Sequence, residues 1–210
     1  MEFFLQLLVN GVCIGLLYGI SAMGFVMIFK ASSVLNFAHG ELLALGAFFF
    51  LSLVTWGKIP VAAAFLLTLI GCFVLGVLIE KFFLRPLIGE KLIFVIMLTV
   101  GLAAMFKGLI LLVWGGNLHT YPEFLPASLE FHLGSIYIAP VYSATLVISV
   151  VFLVLFGLFF KKSSQGIFMR SVADNQKAAL SLGVHVRRVF ALSWAIAAMV
   201  ACMSGIVLGI

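Results

Sequence analysis

An all-α integral membrane fold, a polytopic bundle of about six spanning helices, is the architecture expected from this chain. Composition is the first reason. The 210 residues are 65% hydrophobic and 9% charged, with a mean hydropathy of +1.32. A soluble core needs only roughly 45–50% apolar residues, so the surplus must face lipid. The second reason is that the apolar residues fall in runs of about 20, the length that crosses a hydrocarbon layer. The third is that Lys and Arg gather in the short segments between runs. The runs do not alternate polar with apolar, which argues against a β-barrel.

The first run covers 3–29. It lacks a basic leader and a small-residue cleavage site and is too long for a signal peptide, so it reads as a retained span. Gly11, Gly15 and Gly19 recur in it at every fourth position. The second run, 34–56, carries NFAHGE near its start, from Asn36 to Glu41. The third and fourth cover 61–79 and 92–114, the latter holding Lys107. Lys107 is expected to snorkel outward or face a wet cavity, too deep in its span to pair with Glu41. The fifth run is 136–160, and the last begins at Val189. In the last, Ala197, Ala201, Gly205 and Gly209 repeat the four-residue spacing. Both small-residue ridges suit close backbone approach between helices in lipid, within one subunit or across a subunit seam. The whole chain, 1–210, reads as a single transmembrane domain.

Orientation follows from charge. Lys161, Lys162, Arg170, Lys177, Arg187 and Arg188 crowd the connector 161–188, and Lys81, Arg85 and Lys91 follow the third run. The connector 115–135 has no Lys or Arg and carries Glu123 and Glu130. The positive-inside rule puts the first two segments in the cytoplasm and 115–135 outside, with the N-terminus outside unless a re-entrant segment near Asn36 breaks the count for the first span. The formal charge of +5 is thus an orientation signal and not a nucleic-acid footprint. Cys13, Cys72 and Cys202 sit inside apolar runs without paired or metal-ligand spacing. His119 and His132 are too far apart to suggest a metal site. No GxxxxGK[ST] loop occurs, so no nucleotide site is expected in this chain.

Two stretches carry polar chemistry. In 161–188, Asp174 is a candidate N-cap for a short helix ending at Leu182, with Gly183 at the left-handed position beyond it. Ala178, Ala179 and Leu182 would form a small apolar face for another protein's groove, or one helical turn of a solvated loop. The Asn36–Glu41 stretch should lie near the cytoplasmic end of the second span. Asn36, His39 and Glu41 could form a hydrogen-bonded plug or hinge at an inner mouth, and not a substrate site, with Gly40 and Ala44 admitting a neighbouring helix. Equally, Asn36 could be an N-cap and His39 its N3 residue.

The run ADNQKAALSLGVHVRRVFALSWAIAAMVACMSGIVLG resembles the cytoplasmic loop and following helix of ABC-transporter permeases. Together with NFAHGE and EKFFLRPLIG, which contains Glu80, Lys81, Arg85 and Pro86, it is similar to the bacterial branched-chain amino acid permease family. The three motifs, in order, span nearly the whole chain. The resemblance implies an inner-membrane importer subunit that translocates leucine, isoleucine or valine. Urea or short amides are the alternative, since related permeases share the motifs. It implies no cofactor in this chain, ATP being bound by two separate ABC ATPase subunits. A second permease subunit and a periplasmic binding protein complete the implied assembly, alongside membrane lipid and without nucleic acid. Asp174, Ala178, Ala179, Leu182 and Gly183 would couple to the ATPases. Asn36, His39 and Glu41 would line the path or gate. The chain departs from the family at His185, where Asn is usual, at Lys107, and in stopping where members continue, as a truncated permease would. An intramembrane enzyme built on His39 and Glu41 lacks a partner nucleophile or a second acid. A stand-alone channel would leave the docking helix without a purpose.

Overall fold

The computed structural model describes residues 2–32, 34–87, 90–117, 119–121, 131–133, 136–138 and 140–209, and only the backbone of 2–3 and of those within 131–142. Its helices in chain order are α1 (Glu2–Ser32), α2 (His39–Thr55), α3 (Val61–Ile79), α4 (Leu92–Trp114), α5 (Pro140–Lys162), α6 (Ser164–Asp174), α7 (Gln176–Ser181) and α8 (Val186–Gly209). A small antiparallel pair, β1 (Phe131–Leu133) and β2 (Ile136–Ile138), precedes α5, with His132 opposite Tyr137. Five of these helices are long and apolar enough to cross a membrane, and α2 is a shorter apolar helix of 17 residues.

The bundle is organised around α8. Seventy-eight per cent of its most apolar 18-residue window is buried, against 33% or less in the other four long helices. Its small residues explain the position. Ala195, Ala197 and Ala201 are fully buried, and α1, α2 and α3 close on them at backbone distance. A Cβ on Gly76 of α3 would stand 2.6 Å from Ala195 Cα, and one on Gly46 of α2 would stand 2.6 Å from Cys202 Cα. A Cβ on Gly205 of α8 would run into the Leu43 carbonyl. In lipid, helices associate by such close packing because hydrophobicity alone does not hold them together. The ridge Ala197, Ala201 and Gly205 therefore belongs to the intrachain core, and Gly209 meets Tyr121. Gly11, Gly15 and Gly19 behave differently. All three are exposed, and a Cβ added at any of them meets nothing within 4 Å.

The end of α3 is irregular for a covalent reason. Pro86 has no N–H and its ring would collide with a carbonyl one turn back, so an α-helix cannot run through it. The chain widens into a π-turn over Glu80–Leu84 and tightens into a 3-10 turn over Arg85–Leu87. Arg85 thereby reaches back to Glu80, donating from Nη2 at 2.7 Å and from Nε at 3.3 Å.

At the opposite end, aromatic residues tie the outer connector down. Trp114 Nε1 donates to Ser52 Oγ at 2.7 Å and its ring stacks on Trp56. Tyr121 donates to the Ala47 carbonyl at 2.9 Å. Burial, reinforced by the nearby Cys202, pushes the Tyr121 phenol pKa upward, which keeps it a donor.

The fifth helix starts at Pro140, four residues later than the apolar run, because Ile136–Ile138 pairs as a strand. The connector 161–188 contains two helices instead of one. Ser163 caps α6, its Oγ accepting from Gly166 N at 2.9 Å, and Gly166, Met169 and Val172 are buried on one face.

Candidate functional site

The Asn36–Glu41 stretch straddles the start of α2. α1 runs to Ser32, residues 34–38 are non-helical, and α2 begins only at His39. Two long-range hydrogen bonds fix how far the chain has turned back. Thr99 Oγ1 of α4 donates to the Leu35 carbonyl at 3.2 Å, and His39 Nε2 lies 3.0 Å from the Ser21 carbonyl of α1. Ser21 precedes Lys30 by about 14 Å along the helix axis, nearly half of a hydrocarbon layer roughly 30 Å thick. Thr99 lies roughly 10 Å into α4. Beyond Ser32 the chain turns back into the bundle, so that His39 packs beside Ser21 of α1 and Leu35 beside Thr99 of α4. Irregular backbone within a membrane is tolerated only where protein buries it or where it lines a wet cavity.

The turn's internal bonds are specific. Asn36 Oδ1 accepts from Ala38 N at 3.1 Å, and His39 N donates to the Asn36 carbonyl at 3.2 Å. Ala38, not Asn36, occupies the N-cap position, so His39 opens the first turn and Glu41 is its third residue. A carboxylate there is favoured by the helix dipole. Because a carbonyl can only accept, His39 Nε2 carries the proton and Nδ1 is left as an acceptor. Its ring also meets Phe25 edge-on at 6.0 Å. Asn36 is 1% exposed and His39 is buried, yet Asn36 Nδ2 and His39 Nδ1 have no partner among the described residues. Each such buried group costs about 1–3 kcal/mol. Glu41 is half-buried, while Phe37 and Gly40 beside it are exposed. A Cβ at Gly40 meets nothing within 4 Å, so the close approach expected at Gly40 falls instead at Gly46. Lys107 is exposed on α4.

The second polar element is α7. Asp174 does not cap it. That residue ends α6, and Asn175 is the cap, its Oδ1 accepting from Ala178 N at 3.0 Å. The break between α6 and α7 is the reason: Asn175 takes an extended conformation with φ −156° and ψ 101°. Gly183 does take the left-handed φ of +82°. Gly183 N donates to Leu180 O at 3.0 Å and Val184 N to Ala179 O at 3.0 Å, a paired C-terminal closure. Ala179 is buried, whereas Asp174, Ala178 and Gly183 are exposed, and Leu180 and Leu182 are 54% and 83% exposed. The apolar face read as Ala178, Ala179 and Leu182 thus splits into an anchor, Ala179, and an outward side.

Sequence reasoning named Glu80 within EKFFLRPLIG but gave it no role of its own. It is 1% exposed and lines a cavity of about 190 Å³ with Ser32, Glu90, Gln176 and Trp194. A carboxylate next to an apolar run, with Arg five residues on and Pro beyond, was the available signal.

The family described as branched-chain amino acid transport system / permease component matches residues 7–210. The chain is 29% identical over 217 residues to the high-affinity branched-chain amino acid transport system permease protein BraD of Pseudomonas aeruginosa, covering 98% of this chain and 71% of BraD. It is 27% identical over 218 residues to the permease protein LivH of the same type of system in Escherichia coli K12, covering 99% of this chain and 71% of LivH. LivH of Salmonella typhimurium is 27% identical over 220 residues. No solved structure matches the chain.

Proposed function

The chain belongs to the branched-chain amino acid permease family, and on that premise we propose that it is the translocating subunit of an ATP-driven bacterial inner-membrane importer for leucine, isoleucine and valine. Two separate ATPase subunits hydrolyse the nucleotide. A periplasmic binding protein delivers the substrate, and a second permease subunit completes the pathway. The observation that carries the coupling part of this reading is α7. It is capped at both ends, anchored by Ala179, and presents Leu180 and Leu182 outward. Exposed leucines on a short ordered helix suit an apolar groove in another protein. A four-residue linker, 182–185, then joins α7 to α8, the helix on which α1, α2 and α3 pack. The turn from Asn36 to Glu41 lines the path. A carboxylate inside the bundle is costly against lipid, at up to about 2.5–3.5 kcal/mol on insertion scales, and must face a wet passage.

Crosslinking in intact cells tests the reading. Cysteine or a photo-reactive residue at Ala178 or Leu182 is expected to capture an ATP-hydrolysing subunit, and labelled leucine uptake is expected to require ATP. Capture with urea uptake instead of leucine uptake would keep the importer and replace its substrate. No capture from either position would sink the coupling role.

A further inference from the structure

The re-entrant turn holds a set of unmatched polar groups of both signs. Asn36 Nδ2 is a buried donor without an acceptor, and His39 Nδ1 is a buried acceptor without a donor. Asn36 Oδ1 is fixed at Ala38 N, which keeps the amide beside the first turn of α2. That turn has no side-chain cap, and Gly40 within it is exposed. The N-terminus of a 17-residue helix directs its N–H groups and positive dipole end at whatever sits there. Glu41 adds a carboxylate one residue later and is half-buried. All of this lies inside the bundle between Ser21 of α1 and Thr99 of α4, at a break between helices of the kind that forms substrate sites in transporters.

An anion alone would not use Glu41 or His39 Nδ1. A cation alone would not use Asn36 Nδ2 or the helix start. A zwitterion uses all four. We propose that the first turn of α2 is a clamp for the main-chain groups of an α-amino acid. The helix N-terminus and Asn36 take the α-carboxylate, and Glu41 with His39 Nδ1 takes the α-ammonium. The side chain of the amino acid is left to neighbouring apolar surface, to which Phe37 contributes. This rests on the reading of the chain as an amino-acid importer subunit and adds the residues that touch the cargo.

The test uses the complete importer, with its ATPases, second permease and binding protein, reconstituted in proteoliposomes. Glu41→Gln keeps a side chain able to fold back on the helix start, since Gln serves there as well as Glu, but removes the charge. Asn36→Asp keeps the oxygen that accepts from Ala38 N but replaces the Nδ2 donor with an anion. Each variant is expected to lower leucine moved per ATP hydrolysed at least tenfold, with co-purification of the ATPases as the folding control. Asn36→Asp is expected to lower it more, by repelling the α-carboxylate. If the unmatched groups hold only buried water, both variants will move leucine at the unmodified ratio, and the clamp is overturned. Failure of the underlying reading looks different: the unmodified assembly would then move no branched-chain amino acid when given loaded binding protein.

Discussion

Glu80 and Arg85 show how a single side chain can decide stability in this chain. Glu80 is 1% exposed and Arg85 37% exposed, joined at 2.7 Å. Removing Arg85 leaves the buried Glu80 carboxylate without its partner, a destabilising change, although solvent at the exposed arginine already screens part of the pairing. Arg85→Ala is expected to lower the melting temperature of the purified protein markedly. Glu80→Gln with Arg85→Met should recover much of the loss, because two neutral groups leave no stranded charge. Equal melting of Arg85→Ala and the unmodified protein would show that water already compensates Glu80. A cap is a smaller matter of the same kind. Asn175→Ala should cost about 1 kcal/mol of α7 order, seen as faster amide exchange, whereas Asp174→Ala should leave α7 unchanged. The reverse ranking would restore the sequence-based assignment of the cap to Asp174.

Packing between elements separates glycines that the sequence presents alike. Gly76→Ala puts a methyl group 2.6 Å from Ala195 Cα, against backbone that cannot swing aside. Overpacking of that kind costs typically about 1–3 kcal/mol. Gly15→Ala meets nothing and gains helix propensity of up to about 1 kcal/mol. Thermal melts of the two variants should move in opposite directions. Spacing of four revealed both ridges but not their partners, because a periodicity states which residues share a face and not what covers it. The spans were legible because an apolar run of about 20 residues has few other uses. The re-entrant turn was legible only as an alternative near Asn36 to the simple count of spans. Val34, Leu35, Phe37 and Ala38 are apolar, so the run continues across the break, and composition cannot distinguish extended backbone from helix there. α6 was hidden for the opposite reason: its charged and polar residues resemble a loop, while its three buried positions are too few to stand out.

Across the whole molecule, burial points to one mechanical axis. α8 is enclosed while the other long helices keep most of their surface open to lipid or to other subunits. The glycine contacts of α2 and α3 with α8 are backbone to backbone, so little of a displacement of α8 can be absorbed by side-chain rotation. α7 joins α8 through a short segment closed by Gly183, and Ala179 and Val184 hold the joint. On the proposed coupling role, a push on α7 would be carried into the core and reach the second turn of α2, whose Leu43 carbonyl lies against Gly205. Leu180→Glu with Leu182→Glu changes only outward-facing positions and adds charge where an apolar groove would close. The variant should insert and melt as the unmodified protein does, yet lose co-purifying ATPase and at least nine-tenths of leucine uptake. Retained uptake with both leucines charged would mean that force enters the bundle somewhere other than α7.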